Sequence, residues 1–217
     1  TKIKSDFGRL SGKSVSPSEL QTYRDLMTKL VSALVMGEGY ASLTDQMFAA
    51  GESFFTHSTN VAYLAAVTGI ELRDYIVRER PKVAAESAVD LVALGLAGVL
   101  HDVGKLSLGS EAGRTHECLS VKPEVEIDYR QHAEMGHAVL RNSRLSPTVV
   151  QSVLNHHQKF DGTGWPDLTA ISSGRVSGPQ SGRGIHIFAR IVAAANTLDI
   201  LLADADRRGK PPAAALA

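Results

Sequence analysis

Two adjacent residues, His101 and Asp102, are the strongest candidates in the sequence for metal-dependent chemistry. They end an apolar stretch from Val89 to Leu100, where an unpartnered charge would be costly to bury. An imidazole beside a carboxylate can bind one metal cation, and the second carboxylate oxygen can reach another. Lys105 follows three residues later and would share their face on a helix. Because a lone His-Asp pair is more often a surface pair or a helix cap, its interpretation as a metal site depends on the other histidines of the chain.

Further ligand-type residues occur in several separate segments. They are His57, His132, the adjacent pair His156 and His157, and the residues Asn196 and Asp199 of the segment 189–199. Such side chains on separate helices are what a buried site for several metal ions would need. The spacing is not that of a zinc finger, and the single cysteine, Cys118, excludes a thiolate cluster.

The order of these motifs resembles the HD-GYP domain, a branch of the HD phosphohydrolases. The resemblance covers roughly residues 50–205, and HDVGK at 101–105 followed by HHQKFDGTGWP at 156–166 is its most specific part. It implies an all-α fold, a helical bundle of the HD-domain type with a metal site in the core. It also implies hydrolysis of cyclic di-GMP or a related cyclic dinucleotide with iron or manganese ions as cofactors.

The resemblance assigns a role to each site residue. The metal ligands would be His57, His101, Asp102, His132, His156, His157 and the residue at position 196, Asn196. Asp102 would bridge two ions. Lys105 would hold a phosphate oxygen or the leaving group, with a solvated lysine at a helix end as the alternative. Substrate would contact the turn that contains Asp161, Gly162, Gly164, Trp165 and Pro166, whose glycines allow a close backbone approach.

Three basic residues are weaker candidates for substrate binding. Arg190 would meet the second phosphate of the dinucleotide or else form a surface salt bridge. Arg207 and Lys210 fit an RxxK motif of the family only if two residues are inserted before them. The remaining histidines are expected to be structural or to lie on the surface: His116, His137 and His186.

Departures from the family pattern leave two functions open. The usual glutamate four residues before His57 is replaced by Ser53, so two metal ions are favoured over three. Asn196 stands where the family has an aspartate, and a neutral amide is a weaker ligand than a carboxylate. Trp165 replaces the tyrosine of GYP and keeps a ring. The chain is therefore expected to be a metal-dependent cyclic dinucleotide phosphodiesterase or, alternatively, a catalytically impaired module that binds the dinucleotide in signalling. An HD hydrolase acting on another nucleotide is a third reading.

Composition limits the partners. Lysine plus arginine and aspartate plus glutamate both number 23, so no basic field indicates binding to DNA or to a membrane. The single cysteine permits no internal disulfide, and neither a signal peptide nor an apolar run of about 20 residues is evident, so a cytoplasmic location is expected. Because the chain begins at Thr1 and ends in a Pro- and Ala-rich segment, we expect part of a longer protein, with an upstream sensor domain or a second copy as partner.

The elements that must position these residues are predicted to be helices. Ser16, Pro17 and Glu19 form a capping-box pattern ahead of an amphipathic helix of about 20 residues, which either packs on its own domain or serves as a signalling linker. Further helices are expected at 44–71, 85–103, 131–142, 146–157 and 185–203, with loops at 106–128 and 172–184. We expect residues 1–43 to be an N-terminal extension and 44–217 to be the HD-GYP-like domain, truncated at its C-terminus.

Overall fold

The computed structural model describes residues 16–35, 54–108, 129–167 and 179–207, and these residues contain helices and no strand. The helices are α1 (Pro17–Val35), α2 (Phe54–Glu71), α3 (Arg73–Glu79), α4 (Ala85–Ala88), α5 (Leu91–Leu100), α6 (His132–Leu140), α7 (Pro147–Asn155) and α8 (Ile187–Arg207), with 3-10 segments at Val103–Ser107 and Gly182–Gly184. The predicted all-α class is confirmed.

Helix α5 lies at the centre of the core, and its residues from 93 to 100 are all buried. Helices α1, α2, α7 and α8 contact it on different sides. A Cβ at Gly98 would lie 2.6 Å from the Cα of Ala62, so α2 and α5 cross at a distance that only glycine permits. The central helix therefore holds its C-terminal end in a fixed position between its neighbours.

Helix α1 packs on the same core. Its Tyr23 and Met27 are each 1% exposed and belong to the main hydrophobic cluster, and Met27 contacts α5 near Gly95. Packing on its own domain was the first of the two alternatives for this helix. The side chain of Glu19 and the boundary expected near residue 43 lie outside what the structure describes.

The continuous helix expected at 85–103 is wrong. The chain leaves the helical path after Ala88, and the Asp90 side chain accepts a 2.8 Å hydrogen bond from the backbone N–H of Ala93, which caps a new helix. This helix ends at Leu100, after which Asp102 adopts non-helical dihedral angles before the 3-10 segment. The break places His101 and Asp102 in a turn at the end of the core helix.

One described segment, Ala85–Ser107, is long and apolar enough to cross a membrane by length and composition alone. From the sequence we expect no apolar run of about 20 residues. About 72% of its most apolar window is buried inside the protein, and the segment contains the buried charged residues Asp102 and Lys105. These are the properties of a segment in a protein core.

Candidate metal centre

The Asp102 carboxylate is the centre of the site, because its two oxygens face two different groups of histidines. Oδ2 lies 3.3 Å from Nε2 of His101 and 3.6 Å from Nε2 of His57. Oδ1 lies 3.2 Å from Nε2 of His132 and 3.9 Å from Nε2 of His156. The two groups, His57–His101–Asp102 and Asp102–His132–His156–His157, each bring potential ligand atoms within 4.8 Å of one another. One carboxylate thus belongs to two possible cation sites.

Three of the histidines are oriented in the same way by backbone carbonyl groups. Nδ1 of His101 donates to the carbonyl of Gly98 at 2.7 Å. Nδ1 of His132 donates to Tyr129, and Nδ1 of His156 to Val153, both at 2.6 Å. Each acceptor precedes its histidine by three residues. Because the Nδ1 hydrogen is used, the Nε2 atom of each neutral ring presents its lone pair to the centre, as a metal ligand must.

The His57 ring is oriented by a carboxylate. Its Nδ1 donates to Oδ2 of Asp199 at 2.7 Å, and Nδ2 of Asn60 donates to Oδ1 of the same carboxylate at 2.7 Å. Both acid oxygens are therefore occupied away from the centre. A carboxylate behind an imidazole is a common outer partner of metal-ligating histidines, because it raises the basicity of the ligand.

Nε2 atoms that face each other at short distance favour a cation between them. Nε2 of His57 lies 3.3 Å from that of His101, and Nε2 of His132 lies 3.2 Å from that of His156. With every Nδ1 hydrogen donated elsewhere, neutral rings would oppose lone pair to lone pair. A cation between them, either a metal ion or a proton, relieves that repulsion. The ligand set of nitrogen and carboxylate oxygen suits iron, manganese or zinc.

The pKa values of these side chains favour the protonation states that bind a metal. Burial lowers the pKa of His101, and lowers the pKa values of His156 and His157 well below the usual range, so these rings are neutral at pH 7. Burial acts to raise the pKa of Asp102, but its close interactions with His101, the Lys105 ammonium and His132 hold that pKa well below its ordinary value. Neutral imidazoles and an ionised carboxylate are the forms that bind metals.

Lys105 is buried at the centre and is not a solvated lysine at a helix end. Its side chain is 4% exposed, and Nζ donates to Oδ2 of Asp102 at 2.6 Å. The ammonium also lies 4.8 Å from the centroid of the Tyr129 ring. The backbone next to Lys105 is tightly packed, since a Cβ at Gly104 would lie 1.9 Å from the carbonyl oxygen of His132. The 3-10 segment is therefore pressed against the start of α6.

The loop after α7 folds back on His157. Trp165 stacks on the His157 ring with centroids 3.9 Å apart and 17° between the planes, and the backbone N–H of Trp165 donates to the His157 carbonyl at 3.2 Å. A Cβ at Gly164 would lie 2.2 Å from the backbone N of Lys159, so this close return requires glycine. The loop thereby fixes the orientation of a ligand-type histidine.

The other loop residues have local contacts. Oδ1 of the exposed Asp161 accepts from the N–H and hydroxyl of Thr163, and these bonds lower the pKa of Asp161. Gly162 has φ +83°, a value that favours glycine. The carbonyl of Pro166 accepts a 2.7 Å hydrogen bond from Gln158. The structure shows how this turn is built, and its predicted contact with substrate stays a prediction.

Asn196 lies on α8 one turn before Asp199, and its side chain is buried. Its Oδ1 atom is buried and has no hydrogen-bond partner among the described residues. A buried amide oxygen without a donor is costly in a protein core. An oxygen in this state is suited to accept a metal ion or a water molecule, so the ligand role predicted for Asn196 fits its surroundings.

Of the three basic candidates, the structure describes the side-chain contacts of Arg190 alone, and none of these contacts is with a residue of the centre. Arg190 is ion-paired with Glu79, and its Nη1 donates to the hydroxyl of Tyr75 at 3.3 Å. Glu79 also accepts a 2.8 Å hydrogen bond from Nε of Arg183. The Arg190–Glu79 ion pair thus connects α8 to α3. The side chain of Arg207, all of Lys210, and Ser53 lie outside the described part of the chain.

Three residues of the centre were missed or given no role from sequence: Asn60, Tyr129 and Asp199. Each stands three positions from a candidate ligand, since Asn60 follows His57, Tyr129 precedes His132 and Asp199 follows Asn196. On a helix this spacing places two side chains on one face, and a ring nitrogen can also reach the carbonyl three residues back. A search of these offsets would have identified them.

Comparisons with known proteins agree with this geometry. The family model of the HD domain matches residues 54–201. The chain is 34% identical over 118 residues to cyclic di-GMP phosphodiesterase PA4108 of Pseudomonas aeruginosa, in an alignment that covers 53% of this chain and 25% of that protein. It is 32% identical over 114 residues to the cyclic di-GMP phosphodiesterase response regulator RpfG of Xanthomonas campestris pv. campestris, covering 49% and 25%.

A third relative has a different printed activity. The chain is 26% identical over 132 residues to ribonuclease Y of Clostridium kluyveri, in an alignment that covers 61% of this chain and 20% of that protein. The aligned part of the chain thus spans a quarter or less of the length of the three relatives.

Proposed function

Since this chain belongs to the HD domain family, we propose that it is a metal-dependent phosphodiesterase that hydrolyses cyclic di-GMP or a related cyclic dinucleotide. The observation that carries the proposal is the Asp102 carboxylate, whose two oxygens face two separate histidine groups. Two relatives named as cyclic di-GMP phosphodiesterases support the substrate class. Ribonuclease Y also bears the name of an enzyme that acts on a phosphodiester.

The metal ligands would divide between the two oxygens of Asp102. His57 and His101 would hold one ion with Oδ2, and His132, His156 and His157 would hold a second with Oδ1. We propose iron or manganese, because imidazole and carboxylate ligands suit both. When bound, such ions supply positive charge that neutralises a phosphodiester and lower the pKa of a water nucleophile.

The side chains around the ligands would prepare the reaction. Asp199 and the three backbone carbonyls hold the imidazoles in one tautomer, so no ring has to turn when substrate binds. The Lys105 ammonium, buried beside Asp102, could donate to a non-bridging phosphate oxygen or to the leaving oxygen. Substrate binding by the 161–166 turn and by Arg190, Arg207 and Lys210 remains a prediction from the family resemblance.

A second function is favoured by one specific observation, the buried neutral amide of Asn196, whose Oδ1 has no hydrogen-bond partner among the described residues. If this oxygen binds a metal only weakly, the chain would bind a cyclic dinucleotide without turning it over. A cytoplasmic location, and control by an upstream sensor domain or by a second copy, are further predictions that do not separate the two functions.

Product analysis tests the proposed function. The chain, purified without oxygen and loaded with Fe(II) or Mn(II), should convert cyclic di-GMP to a linear dinucleotide or GMP detectable by chromatography. Asp102→Ala should abolish both turnover and metal loading, whereas Asp74→Ala, which removes an exposed carboxylate on α3, should leave both unchanged. A fully metal-loaded chain that binds but does not hydrolyse the dinucleotide would favour the second function. One that does neither would contradict the proposed substrate class.

A further inference from the structure

The Lys105 ammonium lies beside groups of side chains that could also bind metal cations. Its Nζ is within hydrogen-bond distance of a single described acceptor, Oδ2 of Asp102. That same oxygen lies 3.3 Å from His101 and 3.6 Å from His57, the group that would hold one metal ion. A metal ion on Oδ2 would share the oxygen with the ammonium and weaken the ion pair. A second contact is therefore needed to hold the Lys105 ammonium.

Tyr129 supplies a contact of the right kind. The Lys105 ammonium lies 4.8 Å from the centroid of its ring, and the two side chains are buried. The negative face of an aromatic ring attracts an ammonium without using a carboxylate oxygen, and the attraction strengthens when both groups are removed from water. The ring leaves the hydrogens of the ammonium available for other acceptors, such as phosphate oxygens.

The position of Tyr129 is itself fixed by the centre. Its carbonyl accepts from Nδ1 of His132, and its ring centroid lies 4.7 Å from that of His132. The rings of His157 and Trp165 both stand edge-on to it at 6.2 Å. One residue therefore contacts a ligand of one histidine group and the lysine paired with the opposite oxygen of Asp102.

We propose that Tyr129 is a positioning residue, whose ring holds the Lys105 ammonium in the metal centre independently of Asp102. This role rests on the proposed function for its effect on turnover, but the contact itself does not. Any substitution keeps the backbone carbonyl that orients His132, so the contribution of the ring can be measured separately.

A double-mutant cycle tests the contact without any assay of activity. Tyr129→Leu, Lys105→Met and the double variant would be unfolded in urea in the metal-free full chain. The cycle should show that Tyr129 and Lys105 are coupled by about fivefold in the unfolding equilibrium constant. Tyr129→Phe, which keeps the ring, should retain this coupling. As a matched control, Tyr63→Leu removes a buried tyrosine that packs in a separate cluster and should show no coupling to Lys105. Additive effects of Tyr129 and Lys105 would overturn the proposal.

Kinetics then test the role in catalysis. Tyr129→Leu should lower kcat about fivefold to tenfold, with KM and metal content unchanged, and Tyr129→Phe should restore kcat to within about twofold. In the Lys105→Met background, Tyr129→Leu should have no further effect on kcat. A loss of metal content in Tyr129→Leu, or a fall in kcat that persists without Lys105, would show a role other than positioning Lys105. If the wild-type chain hydrolyses no cyclic dinucleotide, the proposed function fails while the urea cycle still decides on the contact.

Discussion

At the scale of the residue, the centre depends on which atom of each side chain is already bound. Four imidazoles donate from Nδ1 to a carbonyl or to Asp199, and this leaves Nε2 of His57, His101, His132 and His156 directed at Asp102. These side chains are almost completely buried, so their geometry is set by the fold rather than by solvent. A metal ion would meet a site that requires little rearrangement.

Asn196→Asp distinguishes an active enzyme from an impaired one. A carboxylate adds a charged ligand where the native amide oxygen has no partner, so metal affinity should rise by about tenfold and hydrolysis of cyclic di-GMP should increase. Asn142→Asp adds the same charge at an exposed turn and should change neither. Isothermal titration with Mn(II) and product chromatography provide the two measurements.

Each outcome of this substitution has a distinct meaning. A small gain over a native chain that is already active would support the phosphodiesterase. A native chain that is inactive and rescued by Asn196→Asp would support the binding module. A variant that stays inactive at full metal occupancy would count against both the substrate and the importance assigned to Asn196.

At the scale of the element, the end of α5 is what brings the ligands together. The sequence predicted the apolar helix and the ligand types, because the motifs at 101–105 and 156–166 are specific. It did not predict the break at Asp90 or the turn after Leu100, since an aspartate beside apolar residues does not by itself end a helix. The start of α5 is set by the local cap from Asp90, and the path of the chain after its end by the tight fit of Gly104 against α6.

Gly104→Ala tests that fit. A Cβ at this position would lie 1.9 Å from the His132 carbonyl oxygen and 2.5 Å from the backbone N of Gly136, neither of which can move without shifting α6. We expect the free energy of unfolding to fall by about 3 kcal/mol and metal affinity to fall with it. Gly184→Ala meets nothing within 4 Å and should change stability by no more than about 0.5 kcal/mol. Equal stability of the two variants in urea would contradict the tight packing.

At the scale of the whole molecule, the centre is assembled from separate elements, namely α2, α5, α6, α7, α8 and the 3-10 segment at Val103–Ser107. Together they bring seven buried ligand-type and charged side chains to one place: His57, His101, Asp102, Lys105, His132, His156 and Asp199. Family motifs could predict most of this set. They could not predict that Arg190 pairs with Glu79, because an ion pair between α3 and α8 depends on how the two helices meet. The Tyr129 contact depends in the same way on the fold.

The buried histidines make stability depend on pH. Burial lowers the pKa of His101 and, further, of His156 and His157, and it lowers the pKa of His186 to about 4. Below about pH 6.5 the unfolded chain therefore binds more protons at these positions than the folded chain does. The free energy of unfolding of the metal-free chain should therefore decrease from pH 7 to pH 5.

Urea unfolding at several pH values measures this slope. His186→Gln should make it shallower without affecting the metal centre, because His186 lies at the start of α8, where its Nδ1 accepts from the N–H of Phe188. Stability that is independent of pH between 7 and 5 would show that these rings are protonated in the folded state.

The number of metal ions bound per chain tests the central claim, that Asp102 is shared by two cation sites, most directly. Elemental analysis of anaerobically purified, manganese- or iron-loaded protein should find two ions per chain. His101→Gln and His156→Gln should each lose one ion, since each removes a ligand from a different oxygen of Asp102, and Asp102→Ala should lose both. A single ion in the wild-type chain, or the loss of both ions from either histidine variant alone, would contradict two sites joined by one carboxylate.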